Sequence, residues 1–197
     1  MDVSFERIVV IGSSCAGKST FAAALARELG CTAVELDHLY WGPNWTAKPL
    51  QEFRQLTEQA VAPACWVVSG NYGMVRDVVW SRATLVIWLN YSFATVLGRA
   101  LRRTVRRMVT REQLWHGNYE SFRRSFLSRD SILVWIVTTF QQRRREFQQL
   151  RTGAAFPHLK WIEFRRPREA RRYRARLAAR GRTVEACPEL VEDPKEH

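Results

Sequence analysis

The chain has 197 residues, 46% of them hydrophobic, which suits one domain with a full core and argues against a disordered chain. No apolar run is long enough to span a bilayer, so no membrane partner is expected. The formal net charge of +12 admits nucleic acid. The arginines, however, gather between Arg99 and Arg151 and between Arg165 and Arg182, where they would equally neutralise a polyphosphate. Nucleic acid is therefore a secondary expectation.

The first residues, Met1 to Glu6, lack the charged and apolar regions of a signal peptide, and a cytoplasmic protein is expected. Next comes Arg7–Ile11, an apolar and β-branched run that reads as a buried strand. It leads into Gly12-Ser13-Ser14-Cys15-Ala16-Gly17-Lys18-Ser19, which matches GxxxxGKS at every required position. A helix is predicted over Lys18–Leu29, ending at Gly30. Strand, glycine loop and helix are the setting in which this motif has a mechanism. Glycines let backbone N–H groups curl around phosphate oxygens, and the helix N-terminus adds partial positive charge. Residues Gly12 to Thr20 are thus expected to hold ATP, with Lys18 reaching the β- and γ-phosphates and the Ser19 hydroxyl binding Mg²⁺.

Four further strand-like runs follow, at Thr32–Leu36, Trp66–Ser69, Leu85–Leu89 and Lys160–Phe164. Helices are predicted between and after them, at Leu50–Val61, Ser92–Val109, Asp130–Leu150 and Arg168–Ala179. Continuous apolarity in the strands, alternating with helices, predicts an α/β fold with a parallel sheet covered on both faces. Thr110–Ser128 reads as an excursion from the core, and residues 183–197 as an acidic, flexible tail behind a single domain spanning 1–182. Cys15, Cys31, Cys65 and Cys187 have no metal-ligand spacing and are expected as reduced thiols. The sequence sets no oligomeric state.

Ligands of such sheets bind beyond the carboxyl ends of the strands, so chemistry is expected at those ends. Strand two runs into Asp37, which could deprotonate or orient an acceptor hydroxyl, hold a metal-bound water, or simply cap a turn. The loop bearing Trp41 and Trp45 could stack on a ring-bearing substrate or form a satellite hydrophobic cluster. Strand three ends in Ser69, followed by Gly70, Asn71 and Tyr72, and strand four ends in Asn90. Many phosphate-loop enzymes carry a metal-holding Asp at such an end. Asp37 is therefore the leading substitute acid, with Asp77 a more distant possibility. Arg99 and Arg103 lie four apart and project from one helix face, as do Arg102 and Arg106 on another. Arg129 and Arg143-Arg144-Arg145 follow, suited to a lid that stabilises the transferring phosphoryl group.

In order along the chain, several pieces carry a resemblance. They are the Gly12–Ser19 loop, Leu36-Asp37-His38-Leu39-Tyr40-Trp41-Gly42-Pro43-Asn44-Trp45, Gly70-Asn71-Tyr72, and Val75-Arg76-Asp77. Glu112-Gln113-Leu114-Trp115-His116-Gly117-Asn118, Ser128-Arg129-Asp130-Ser131 and Arg168-Glu169-Ala170 complete the set. Over residues 7–175 the chain resembles the adenylate-kinase-like P-loop proteins of the DNA topology modulation (FlaR-type) family. The resemblance implies the nucleoside monophosphate kinase type of three-layer P-loop fold: a five-stranded parallel sheet, an acceptor-binding segment after strand two, and a lid at about 110–128. It matches Arg99 and Arg103 to paired arginines that contact donor adenine and phosphates, and puts Arg129 among the lid arginines. Two departures stand out: Ser69 where relatives carry Asp, and Asn90 where Asp is common.

Together these readings predict an ATP- and Mg²⁺-dependent kinase acting on a small nucleotide or other hydroxyl acceptor. Lys18, Asp37, Arg99, Arg103 and Arg129 are the expected catalytic groups. Asp37, Trp41, Trp45, Gly70, Asn71, Tyr72 and Arg76 are the expected acceptor contacts. The alternative is a nucleotide-binding regulatory or DNA-associated protein with little kinase activity.

Overall fold

The structure, a computed structural model, describes residues 6–110 and 132–181. Five strands form one sheet: β1 (Arg7–Gly12), β2 (Thr32–Glu35), β3 (Trp66–Ser69), β4 (Leu85–Leu89) and β5 (Lys160–Phe164). All neighbours pair in parallel, in the order β2-β3-β1-β4-β5. The helices are α1 (Lys18–Leu29), α2 (Leu36–Tyr40), α3 (Leu50–Ala60), α4 (Arg76–Trp80), α5 (Phe93–Thr110), α6 (Ile132–Thr152) and α7 (Pro167–Gly181). The predicted strands hold to within a residue. Strand two stops at Glu35 because Leu36 already begins α2. The two five-residue helices α2 and α4 escaped the sequence reading, since so few residues show no helical period.

The pleat sorts β1 between two cores. Ile8 and Val10 join Phe21 and Leu25 of α1, Val96 and Ala100 of α5, Ile136 and Phe140 of α6, and Leu177 of α7. Val9 and Ile11 join Phe53 of α3, Val79 and Trp80 of α4, and Phe147 of α6. The central strands are therefore apolar apart from Arg7 and Ser69 at their ends, and each fully buried Val or Ile contributes about 1.5–3 kcal/mol. At the sheet edges, β2 and β5 are only partly covered.

One expectation is corrected here. Cys31 and Cys65 are joined as a disulfide, with Cα atoms 5.0 Å apart, rather than standing as reduced thiols. Each immediately precedes a strand, and the register pairs Thr32 with Trp66, so parallel pairing of β2 and β3 carries both cysteines to one place. Among the described residues no helix is long and apolar enough to cross a membrane. Most of the predicted lid and the acidic tail lie outside the described residues.

Candidate functional site

The sheet's central strand delivers the glycine loop. Gly12 ends β1 beside Leu89 of β4, at φ +152°, and a Cβ there would sit 2.7 Å from the Leu89 carbonyl oxygen. Only glycine brings the chain that close to β4 before it curls. Cys15 holds a positive φ of 62°, a conformation seldom adopted outside glycine and common where a loop is shaped for a ligand. Lys18, at the start of α1, donates to the Ser13 carbonyl at 3.2 Å across the loop. Burial holds its ammonium below the usual lysine range, the Asp37 carboxylate opposes that shift, and the charges of Arg103 and Arg143 reinforce it. Lys18 thus lies within electrostatic reach of α2, α5 and α6 together.

The next residue supplies what the sequence reading missed. The Ser19 hydroxyl donates to the carboxylate of Glu35, the last residue of β2. Glu35 is paired in register with Ser69, which is buried at the end of β3. A carboxylate thus reaches Ser19 from the strand beside position 69. The signal lies in the sequence: Glu35-Leu36-Asp37 sets two carboxylates at one strand end, of which Asp37 is the one that adjoins the loop segment. Asp77 is excluded from the site. Arg54 holds it at 2.9 and 2.6 Å on the surface and keeps its carboxyl below the usual range.

Asp37 sits in the first turn of α2 and accepts the Tyr72 hydroxyl at 2.6 Å. Burial, together with the Asp37 charge, pushes the Tyr72 phenol far above its ordinary range, so it stays a donor. Tyr40 packs on Tyr72, Phe53 and Trp41 with ring centroids 4.9, 5.0 and 4.8 Å apart, and Trp41 meets Trp45 edge-on at 5.9 Å. Asn44 and Trp45 both have positive φ, 55° and 58°. The two tryptophans are therefore anchored to one another and, through Tyr40, to α3.

Asn71, expected at the acceptor, spends its amide on the phosphate loop: it accepts from the Gly12 N–H at 3.3 Å and donates to the Gly12 carbonyl at 2.6 Å. Arg76 stacks over Trp80, with its guanidinium carbon 5.3 Å from the ring centre, and bonds Glu146 of α6. The other oxygen of Glu146 accepts from Arg143 at 3.0 Å. A cavity with room for about one water lies among the sheet, α2, α4 and α6, lined among others by Ile11, Leu36, Tyr72, Arg76, Trp80 and Phe147. Two guanidiniums share one carboxylate beside it.

On the other side of the loop, Arg99 of α5 donates to the Ala16 carbonyl at 2.6 Å and lies over the Tyr91 ring at 5.0 Å. Arg103 follows one turn later on the same face, whereas Arg102 and Arg106 are exposed. Arg129 lies outside the described residues.

Asn90 pairs with the neighbouring strand through its amide nitrogen. It is buried at the end of β4 and donates to Glu163 of β5 at 2.8 Å, and that carboxylate also accepts from Arg165 and Arg151, each at 2.9 Å. An aspartate at position 90 would face this carboxylate, which gives a physical reason for asparagine. Burial works against the charged form of Glu163, but the bonds from Asn90 and Arg165 and the nearby positive charges hold its carboxyl below the usual range. Its contribution to stability is thus present above the ordinary glutamate pKa and lost as pH falls through the depressed native value. Glu163→Gln is expected to cost about 1–2 kcal/mol at pH 7. That deficit should shrink in acid below about pH 4, as urea titrations of both proteins would show.

Among the described residues no three His, Cys, Asp or Glu side chains cluster as a metal site. A divalent ion here would need a small donor set, and the Ser19 hydroxyl with the Glu35 carboxylate, completed by phosphate oxygens and water, suits magnesium. The loop geometry and the cations around Lys18 likewise suit a polyphosphate.

No family model matches the chain, and no curated protein matches it in sequence. Solved structures do. A shikimate kinase from Bacteroides thetaiotaomicron matches with a TM-score of 0.54 and 15% identity, over 88% of this chain and 97% of that one. A gluconokinase from Sinorhizobium meliloti 1021 matches with a TM-score of 0.48 and 19% identity, over 89% and 95%. A sugar kinase from Janibacter sp. HTCC2649 matches with a TM-score of 0.46 and 21% identity, over 90% and 92%. The first of these establishes the fold: a three-layer α/β P-loop fold of the kind found in that small-molecule kinase.

Proposed function

We propose that this chain is an ATP-dependent phosphotransferase whose acceptor is a small hydroxyl-bearing molecule, a nucleotide or another metabolite, that also carries an anionic group. The observation that carries the reading is that the Ser19–Glu35 pair and the Asp37–Tyr72 pair come together at the end of β2, with Asp37 close enough to act on the charge of Lys18. One pair suits a metal-bound donor phosphate and the other a reacting hydroxyl.

In this reading the loop's backbone N–H groups and Lys18 bind the donor phosphates, while Arg99 and Arg103 steady them from α5. Ser19 and Glu35 would hold Mg²⁺, which when bound would draw charge from the phosphate oxygens. Asp37 accepts the proton of the acceptor hydroxyl as that oxygen forms its bond to the γ-phosphorus and ADP leaves. Tyr72 fixes the Asp37 carboxylate by donating to it. Catalysis is positioning plus electrostatics, as phosphoryl transfer requires. Among the described residues, Arg76 and Arg143 share the single carboxylate of Glu146, an excess of one positive charge that suits a phosphate or carboxylate on the acceptor.

The test is a coupled assay of ADP release, with ATP and Mg²⁺, across nucleoside monophosphates, nucleosides, hydroxy acids and neutral polyols. Turnover confined to anion-bearing acceptors is expected. ADP release that ignores the acceptor would refute transfer, and a preference for neutral acceptors would refute the anion site. Arg76→Met should raise the acceptor KM roughly tenfold to a hundredfold, the usual loss for a bond to a charged group, and leave ATP affinity unchanged.

A further inference from the structure

The β1–β3 ladder stops one step short of the phosphate loop. Its last register pair is Val10 with Ser69, and the Gly70 N–H still reaches the Val10 carbonyl at 3.4 Å. There β3 turns away. Gly70 has φ +149°, and a Cβ on it would lie 2.8 Å from the Leu36 side chain, so the turn is tight against α2 and calls for glycine. Gly12, two residues beyond Val10, would face β3 with nothing opposite it. The Asn71 side chain fills that place: Oδ1 accepts from the Gly12 N–H and Nδ2 donates to the Gly12 carbonyl, across 59 residues of sequence.

We propose that Asn71 is a positioning residue for the donor, its amide serving as one more rung of the sheet that fixes where the phosphate loop begins. The proposal rests on the reading of Gly12–Ser19 as a donor phosphate site. At neutral pH a primary amide at this length offers a donor and an acceptor side by side, as a peptide group of a neighbouring strand does. Gly12 is also the residue at which the loop leaves the sheet, so its peptide sets the direction of every N–H that follows. The adjacent Tyr72 holds Asp37, so three consecutive residues, Gly70-Asn71-Tyr72, tie the start of the donor loop to the acceptor carboxylate.

The discriminating variant is Asn71→Asp, which has the same shape. Ionised, it can accept from the Gly12 N–H but opposes the Gly12 carbonyl. Protonated, it can make both bonds. ATP affinity, measured by calorimetry from pH 5 to pH 8.5 and divided by that of the wild type at each pH, should be roughly tenfold to a hundredfold weaker at high pH. It should recover toward the wild-type value as pH falls through the new carboxyl's titration. Asn71→Leu, which makes neither bond, should show a comparable loss with no pH dependence. This separates lost hydrogen bonds from simple charge repulsion, under which the leucine variant would bind as the wild type does. If Asn71→Leu does not unfold cooperatively, Asn71→Ala, which also makes neither bond and carries no charge, takes its place, with the exchange rate of the Gly12 amide as a second readout: slow in the wild type, accelerated in the alanine variant. Wild-type affinity at every pH in Asn71→Asp overturns the proposal. Lys18→Ala serves as the control: if the wild type binds ATP and Lys18→Ala abolishes it while both Asn71 variants bind normally, this proposal alone fails. If the wild type does not bind ATP, the donor-site reading falls and takes the proposal with it.

Discussion

Asp37→Asn is expected to reduce turnover by roughly two to four orders of magnitude, the usual range for a lost acid–base group, with ATP affinity little changed. The substitution keeps the side chain's size and leaves an amide oxygen to accept the Tyr72 hydroxyl, so α2 and the aromatic cluster around Tyr40 should stay in place. What it removes is the negative charge and the basic oxygen. A second effect is built into the electrostatics. The Asp37 carboxylate raises the Lys18 pKa against the effect of burial, so removing it should depress the Lys18 ammonium further. ATP binding in the variant should therefore weaken at a lower pH than in the wild type. Turnover near the wild-type value would show that the proton leaves by another route, and a large loss of ATP affinity at neutral pH would show that Asp37 serves the donor.

Lys18→Ala should abolish measurable nucleotide triphosphate binding while the fold survives. The ammonium is held in a partly desolvated loop by a hydrogen bond to the Ser13 carbonyl, with Arg99 and the helix N-terminus nearby to keep the rest of the cradle together. The stability effect has a definite sign. The folded-state pKa lies below the lysine value of 10.5, so the charged lysine disfavours the folded state at neutral pH. That penalty is present in full below the depressed folded value and is relieved as pH rises from there toward 10.5. The variant should therefore unfold at the same temperature as the wild type or higher near pH 7, and lose that advantage in alkali. Calorimetric titration with ATP and thermal scans at several pH values check both halves. Unchanged ATP affinity would remove the donor site from the Gly12–Ser19 loop.

The sequence by itself determined the elements that local physics governs. Apolar, β-branched runs buried on both faces can only be inner strands of a covered sheet, and Gly12 to Ser19 between strand and helix can only make a particular kind of turn. The strands, the five long helices and the phosphate loop were legible for this reason. That Arg99 and Arg103 share one helix face was legible too, because helical spacing fixes it. What only the tertiary structure decided depends on strand order, which no local pattern encodes. Placing β3 between β2 and β1 set Glu35 beside Ser69 and under Ser19, brought Cys31 to Cys65, and laid Asn71 against Gly12. Placing β5 beside β4 turned Asn90 from a missing acid into the partner of Glu163. Arg54 took Asp77 out of the site for the same reason, through a contact between residues 23 apart in the chain. Each of these is a side chain whose chemistry was readable from its type but whose partner lies on an element distant in sequence. Packing of whole strands and helices chooses such partners, because the burial of their apolar faces outweighs any single polar contact.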